Sequence, residues 1–247
     1  MTDTTTTPTA GQQVRDGVPA FLDQVRSVGF VVMRKQELSG LVGDADLAEL
    51  RAAFEDLPVD TQVDGVDVYR ERRYGRLRVD VEGDTVSQEV LPNAVFRQDS
   101  IPLWRGKNRI FEPVSEEVLL SPAIRALVGF DARMATAADG NTSWRVGIHL
   151  VRVVARVGAD GLPTPEGRHR DGHSFVGLHL MRRDGVTGGV STIHPNDGSD
   201  MVQTTLRQPL DSVFFNDNMI THEVSPVAPE GASGVRDMLQ IDFNPMD

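Results

Sequence analysis

The sequence predicts a mainly β protein, a sandwich or a closed double-sheet barrel, with helices gathered in its N-terminal part. Three observations favour this class. After residue 143 the chain consists of short strand-like stretches separated by turn residues, a spacing typical of all-β folds. The helical patterns precede these strands and do not alternate with them, which argues against a parallel α/β sheet. A length of 247 residues is ordinary for one large β domain.

The chain is predicted to hold one domain preceded by a polar tail. Residues 1–13 are rich in Thr and carry no apolar pattern, so we expect a disordered tail. The remainder, residues 14–247, is expected to form a single domain. Its helical support is assigned to residues 14–130, and the strands of its β core to about residues 66–98 and 143–247.

The N-terminal part is predicted to supply scaffold helices. Apolar residues recur at helical spacing over residues 18–28 and 47–57, and the apolar run at 30–33 has the length of a strand. Residues 115–129 fit two short helices divided at Pro122, because a proline disfavours helix in the residue before it. These apolar faces carry no chemically active group, so we expect the helices to be structural.

An arginine-rich segment, residues 70–76, lies between two alternating, strand-like stretches at residues 66–70 and 77–81. One interpretation is a solvated strand surface, which is ordinary for a run of charges. The other is that one or two of these arginines enter a cavity and hold a substrate carboxylate through a bidentate contact. Both interpretations stay open from the sequence.

The C-terminal half is predicted to form the barrel itself. Its strand-like stretches cover residues 144–154, 175–182, 188–194, 212–215, 221–224 and 236–243. The first is expected to be bent or bulged near Gly147, because glycine weakens the interior of a strand.

Composition excludes several classes of protein and site. The net charge of −11 disfavours nucleic acid and anionic membrane surfaces as partners. The absence of cysteine excludes disulfides, thiolate metal sites and a cysteine nucleophile. No apolar run approaches the length of a membrane-spanning helix and no signal peptide is visible, so we expect a cytoplasmic protein with no membrane partner. Nothing in the sequence indicates an oligomeric state.

The first residues that indicate chemistry are His169 and Asp171, a His-x-Asp pair within residues 165–172. In an extended segment, side chains two residues apart leave on the same face, so an imidazole and a carboxylate can converge on one metal ion. His222 follows in a later strand-like stretch. Two histidines and one carboxylate form the ligand set of non-haem Fe(II) oxygenases. Taken singly, each histidine has a simpler explanation, as a surface residue beside a glycine turn or as a polar strand cap.

Arg236 opens the last strand-like stretch, where Leu239 and Ile241 share one face and Arg236 shares the other with Met238 and Gln240. An arginine that points into a barrel is costly unless an anion meets it. A carboxylate could do so with two parallel hydrogen bonds. The alternative is an arginine at a strand end that pairs with Asp211 or Glu223.

These motifs resemble the iron(II)- and 2-oxoglutarate-dependent dioxygenases, in particular the bacterial group that includes L-isoleucine dioxygenase and a pipecolic acid hydroxylase. The resemblance covers roughly residues 66–243 and is clearest after residue 144. The segments that carry it are residues 149–152, 165–172, 188–192 and 217–237.

The resemblance implies a double-stranded β-helix of the jelly-roll or cupin type. It implies Fe(II) bound by His169, Asp171 and His222, and 2-oxoglutarate held by Arg236. It also implies O2 as a cosubstrate and a small free L-amino acid, aliphatic or cyclic, as the substrate. An unactivated C–H of that amino acid would be hydroxylated while 2-oxoglutarate yields succinate and CO2.

Three further residues match positions that recur in this group: His149, Arg152 and Glu166. The resemblance predicts that they contact the substrate or the cosubstrate, with Glu166 expected to hold the substrate amino group. Two alternatives remain beside this family. One is a metal-binding cupin enzyme that needs no 2-oxoglutarate, and the other is a non-enzymatic β-sandwich that binds a partner by its surface.

Overall fold

The computed structural model describes residues 10–62 and 69–246, with the side chains described from residue 18 onward in these ranges. The helices in this part of the chain are α1 (Ala10–Val28), α2 (Asp44–Ala52), α3 (Glu116–Leu119) and α4 (Pro122–Asp139). The strands are β1 (Phe30–Met33), β2 (Arg70–Glu82), β3 (Thr85–Leu91), β4 (Ser143–Arg156), β5 (Phe175–Asp184), β6 (Val186–Gly188), β7 (Val190–Pro195), β8 (Val202–Thr205), β9 (Ser212–Asn216), β10 (Ile220–Val224), β11 (Val227–Pro229) and β12 (Ser233–Pro245). No helix in these ranges is long and apolar enough to cross a membrane.

The strands form one large antiparallel sheet and two smaller ones. The large sheet has the order β1-β9-β5-β12-β4-β2-β3, with β12 paired along its length to both β4 and β5. A three-stranded sheet has the order β10-β7-β8, and β11 pairs with β6. The predicted mainly β class with a double-sheet jelly roll is confirmed.

The two faces of the large sheet are covered by different elements. On one face, alternate residues of β12 such as Leu239 and Ile241 pack in a single apolar cluster with Val25 of α1, Leu50 of α2 and Leu127 of α4. The helices therefore cover this face, as expected of scaffold elements. The period of two along β12 leaves the intervening side chains for the opposite face.

That opposite face is covered by the three-stranded sheet. Val176, Leu180 and Met238 of the large sheet pack against Ile193 of β7 and Ile220 of β10. The two sheets thus enclose a space between them, which is the position at which small β barrels hold ligands.

The N-terminal assignment needs two corrections. Residues 1–9 of the predicted tail lie outside the described residues, but helix α1 already begins at Ala10 and so includes residues 10–13. Strand β1 belongs to the large sheet, where it pairs with β9, so the β core includes a strand well before residue 66.

Helix α4 extends beyond the predicted end of the second short helix at residue 129. Gly129 lies inside the helix, which ends only at Gly140, where φ is 90°. Glycine is favoured at such a left-handed position because it has no Cβ to clash with the backbone.

The arginine-rich segment and the strand-like stretch after it form one continuous strand. Residues 66–68 lie outside the described residues, and β2 runs unbroken from Arg70 to Glu82 in register with β4. The bulge expected near Gly147 is also wrong, because β4 keeps its register there on both sides. Glycine is required at this point for a different reason: a side chain would collide with the carboxylate of Asp242 on the neighbouring strand.

The predicted strand at residues 188–194 is divided into the end of β6 and the start of β7. Gly188 and Gly189 both have positive φ, at 73° and 64°, which is incompatible with a continuous strand. The other predicted stretches of the C-terminal half correspond to β4, β5, β9, β10 and β12.

Candidate metal and cosubstrate site

His169 and His222 are brought together by their own backbones. The two residues form an isolated antiparallel bridge, with the His169 N–H donating to the His222 carbonyl at 3.0 Å and the reverse bond at 2.9 Å. Their rings are consequently adjacent, with centroids 4.5 Å apart. The Asp171 carboxylate reaches both, with Oδ1 3.1 Å from His169 Nε2 and Oδ2 3.9 Å from His222 Nε2. One ligand atom from each residue lies within 4.8 Å of the others.

The orientation of His169 is set by its second ring nitrogen. Nδ1 lies 2.8 Å from the carbonyl oxygen of Gly167, to which it donates, so Nε2 is directed toward Asp171. Burial lowers the pKa of His169, but the hydrogen bond to Asp171 and the nearby carboxylate of Glu166 outweigh it and raise the pKa to about 9. The surrounding carboxylates thus favour positive charge at the Nε2 side of the ring.

His222 differs from His169 in that its imidazole is neutral. Its burial lowers the pKa to about 4, so the imidazole is neutral at physiological pH and can offer a lone pair. Burial alone would raise the pKa of Asp171, but the hydrogen bond from His169 and the adjacent imidazoles hold it well below its usual range. Two imidazoles and one ionised carboxylate, with no thiolate, are a donor set that fits Fe(II).

The turn that carries Asp171 is held by Asp217, a residue that sequence reasoning did not single out. Its carboxylate accepts the backbone N–H groups of Asp171 at 3.0 Å, Gly172 at 2.7 Å and His173 at 3.2 Å. Burial, and then the charge of Asp171, raise the pKa of Asp217. The available signal was its place in an Asn-Asp-Asn run, a composition typical of turns, shortly before His222.

A cavity between the two sheets is lined by His169, Asp171 and His222, and Arg236 lines it together with Met238 and Gln240. The alternation along β12 predicts this face for Arg236. The residue is 4% exposed, and its Nε has no hydrogen-bond partner. Burial, and then the neighbouring Arg183, lower the pKa of Arg236 to about 10, so the guanidinium stays charged at neutral pH.

The alternative ion pairs of Arg236 do not form. Asp211 instead lies 3.5 Å from Arg34, and Glu223 lies 3.3 Å from His194. Within residues 10–62 and 69–246, no carboxylate lies at ion-pairing distance from Arg236. A buried cation without a counter-ion is expected where an anionic ligand binds.

Glu166 also lines the cavity, beside His169 and Asp171. Its Oε1 lies 3.3 Å from His169 Nε2, while its Oε2 is buried and has no hydrogen-bond partner. Glu166 therefore has one unpartnered carboxylate oxygen in the cavity, and its contact to a substrate stays a prediction.

His149 lies behind the cavity wall and does not line it. Its Nδ1 is 2.6 Å from Arg72 Nη2 and its Nε2 is 2.7 Å from Asp242 Oδ2. Because arginine can only donate, Nδ1 accepts and the ring proton sits on Nε2, which donates to Asp242. Burial, and then the charge of Arg72, lower the pKa of His149 to about 3. His149 therefore acts on the cavity through Arg72, and the predicted direct contact is not seen.

The predicted contact of Arg152 is wrong, because its side chain leaves the sheet on the opposite face. There it donates to Asp237 at 2.7 and 3.0 Å and lies near Glu55 and Glu71. Its neighbours Val151 and Val153 face the cavity instead. The alternation along β4 accounts for this placement.

Two of the arginines in the predicted charged segment, Arg70 and Arg72, do enter the cavity, as one of the two interpretations expected. Arg109 and Gln98 also line it and were missed. Both belong to the irregular connection between β3 and α3, where no periodic pattern predicts the direction of a side chain.

Comparison with known proteins places the chain in a family. The family model of the 2OG-Fe dioxygenases matches residues 51–242. L-isoleucine-4-hydroxylase of Bacillus thuringiensis is 28% identical over 144 residues, which cover 56% of this chain and 60% of that protein.

The fold of this chain is similar to that of solved relatives. The crystal structure of a bsmA homolog from Methylobium petroleophilum PM1 is 27% identical and superposes with a TM-score of 0.85 over 93% of both chains. The structure of IDO from Bacillus thuringiensis, 22% identical, gives a TM-score of 0.76 over 93% of this chain and all of that one.

The resemblance read from the motifs is thereby confirmed. A cupin enzyme without 2-oxoglutarate and a non-enzymatic binding module, the two alternatives left open by the sequence, do not agree with a family match over most of the chain. This chain belongs to the 2OG-Fe dioxygenase family, whose chemistry uses Fe(II), 2-oxoglutarate and O2.

Proposed function

We propose that this dioxygenase hydroxylates an unactivated C–H bond of a small free L-amino acid with an aliphatic or cyclic side chain. His169, Asp171 and His222 hold Fe(II), and Arg236 holds the distal carboxylate of 2-oxoglutarate. The bound iron supplies the O2 chemistry of the family, in which 2-oxoglutarate yields succinate and CO2 and one oxygen atom enters the substrate. The similarity to L-isoleucine-4-hydroxylase supports this substrate class.

The observation that carries the proposal is the unpartnered carboxylate oxygen of Glu166 in a cavity that otherwise has an excess of positive charge. Glu166 Oε2 is buried without a hydrogen-bond partner, directly beside the metal ligands. A substrate ammonium group would satisfy this oxygen through a charge-assisted hydrogen bond. The buried arginines of the same cavity favour a substrate that also carries a carboxylate. A zwitterion meets both requirements.

The remaining cavity wall favours a small apolar side chain on that zwitterion. Val151, Val153, Leu178 and Met238 contribute apolar surface between the polar groups. An aliphatic or cyclic side chain packed there would exclude water from the reacting carbon and orient its C–H bond toward the metal ligands.

The experiment is a screen for succinate production over proteinogenic, cyclic and non-proteinogenic amino acids, with mass spectrometry of the products. We expect Fe(II)- and 2-oxoglutarate-dependent formation of a product one oxygen atom heavier than the amino acid. Alanine at any of the three metal ligands should abolish the product in a protein that remains folded. His194→Ala is the matched control, since His194 pairs with Glu223 outside the cavity and its loss should leave turnover intact. The proposal fails if free amino acids give no succinate above background while a protein or nucleic acid substrate does.

A further inference from the structure

Two buried arginines of the cavity, Arg72 and Arg109, have no counter-ion. They are 6% and 1% exposed, and the Nε of each lacks a hydrogen-bond partner. In the part of the chain that the structure describes, no carboxylate lies at ion-pairing distance from either guanidinium. Burying an unpaired charge is costly, so such a pair is stabilised when an anion binds.

Both guanidinium groups lie against the rings of Phe96 and Phe111. Arg72 Cζ is 5.3 Å from the ring centroid of Phe96 and 4.5 Å from that of Phe111. Arg109 Cζ is 4.9 and 5.7 Å from the same two centroids and 4.3 Å from the ring of Trp104. Burial lowers the pKa of Arg72 to about 10 and that of Arg109 to about 9, and for Arg109 the charge of Arg72 contributes further. An anion placed between them would relieve this repulsion.

The other cations of the cavity already have a partner or a proposed ligand. Arg70 also lines it, but its Nε lies 2.7 Å from Asp60 Oδ2, so its charge is compensated. Arg236 lies on β12, which β4 separates from Arg72 on β2. Of the two carboxylates of 2-oxoglutarate, one would stay with the 2-oxo group beside His169, Asp171 and His222, and the other is assigned to Arg236. The arginine pair is therefore left for an anion that the cosubstrate does not supply.

We infer, on the basis of the proposed function, that Arg72 and Arg109 together bind the carboxylate of the amino acid substrate. A guanidinium is a planar donor that can contact a carboxylate through two parallel hydrogen bonds, and the cavity wall offers two such groups without a counter-ion. The ammonium group of the same substrate then lies at Glu166, beside the metal ligands.

Each arginine is tied to the metal site by a side chain that acts as a positioning residue. Arg109 donates to Gln98 Oε1, and Gln98 Nε2 donates to the Asp171 carbonyl oxygen at 3.0 Å. Arg72 donates to His149, whose opposite nitrogen is held by Asp242. The first chain of bonds fixes Arg109 relative to Asp171, and Asp242 in the second chain lies 3.4 Å from His173, two residues beyond Asp171. The pair consequently sets how far the oxidised carbon lies from the substrate carboxylate.

The test compares binding of each amino acid with binding of its carboxamide, which keeps the ammonium and the side chain but lacks the anion. Calorimetry under anaerobic conditions, on the protein loaded with Fe(II) and 2-oxoglutarate, uses L-isoleucine, L-pipecolate and their carboxamides. We expect wild-type protein to prefer the acid, and Arg109→Gln to weaken binding of the acid roughly 30-fold or more with little change for the carboxamide. Affinity for 2-oxoglutarate should not change.

A second variant and a control keep the test independent of folding defects. Arg72→Gln should reproduce the selective loss for the acid, and Arg109→Lys should lose less than Arg109→Gln because it keeps the charge. Arg97→Gln, which removes an exposed guanidinium of the same connection, should leave both affinities as in wild type.

The outcomes separate this inference from the proposed function. The role of the arginine pair is overturned if Arg109→Gln weakens binding of the acid and of the carboxamide equally. It is also overturned if wild-type protein does not bind the acid more tightly than the carboxamide. Neither outcome contradicts amino acid hydroxylation. A wild-type protein that binds simple carboxylic acids without an amino group equally well, with the same dependence on Arg109, supports the pair and contradicts the amino acid substrate. Failure of wild-type protein to bind any carboxylic acid overturns the inference.

Discussion

Replacing Arg236 by methionine should weaken 2-oxoglutarate binding and stabilise the ligand-free protein. The side chain is 4% exposed, its Nε has no partner, and the acids expected as alternative partners are engaged elsewhere. In the absence of cosubstrate the guanidinium is thus a buried charge without compensation, which opposes folding. Methionine fills similar space without a charge.

The expected changes in affinity and in Tm follow from the cosubstrate-bound and the ligand-free protein, respectively. Losing a buried charge-assisted pair with the cosubstrate costs about 2–5 kcal/mol, equivalent to roughly 30- to several-thousand-fold in affinity. Removing an unsatisfied buried polar group relieves about 1–3 kcal/mol, and in a protein of this size each kcal/mol raises Tm by about 2–4 °C. Arg236→Lys should lie between wild type and methionine in affinity, because the charge survives and the planar fork is lost.

The assay pairs KM for 2-oxoglutarate with Tm of the ligand-free protein. Arg152→Met is the matched control, since Arg152 is an arginine on the opposite face that is bonded to Asp237. It should lower Tm and leave KM for 2-oxoglutarate unchanged, which is the reverse pattern. An unchanged KM in Arg236→Met, together with a lower Tm, would refute the cosubstrate role and reduce Arg236 to a structural residue.

Three further predictions concern other parts of the site. Glu166→Gln should raise KM for the amino acid roughly 10- to 100-fold by loss of a charged partner, with KM for 2-oxoglutarate unchanged; a parallel rise in both would contradict an ammonium contact. Asp217→Asn should weaken Fe(II) binding by about 10- to 100-fold, as for other residues that orient metal ligands. A metal titration that gives the same Fe(II) affinity as wild type would contradict this positioning role of Asp217. Burial lowers the pKa of His149 from 6.5 to about 3. The stability that the neutral, buried His149 contributes is therefore complete above pH 6.5 and is lost as the pH falls from 6.5 to about 3. In urea unfolding of metal-free protein between these pH values, His149→Gln should reduce the slope of unfolding free energy against pH by about 1.4 kcal/mol per pH unit, and an unaltered slope would show that His149 is not buried neutral.

The parts of the site that lie on strands could be predicted from the sequence. The period of two along β12 placed Arg236 on the face of Met238 and Gln240, and the cavity contains all three. The same reasoning applied to β4 would have turned Arg152 away from the cavity, but a recurring motif position says nothing of side-chain direction.

The parts that depend on tertiary structure could not be predicted. Arg109 and Gln98 come from an irregular connection, and Gln98 is placed by a hydrogen bond to the carbonyl oxygen of Asp171, a residue distant in sequence that no local pattern could pair with it. Asp217 acts through three backbone N–H groups distant in sequence, which become its partners only when the turn after His169 folds against it.

The most direct test of amino acid hydroxylation by this dioxygenase is an isotope experiment with labelled oxygen gas. The protein, loaded with Fe(II), is supplied with 2-oxoglutarate and the best amino acid from the screen under ¹⁸O2, and both products are analysed by mass spectrometry. We expect one labelled oxygen atom in the hydroxylated amino acid, with succinate formed in equal amount. Succinate formed without any labelled amino acid, or a modified amino acid formed without 2-oxoglutarate, would contradict it.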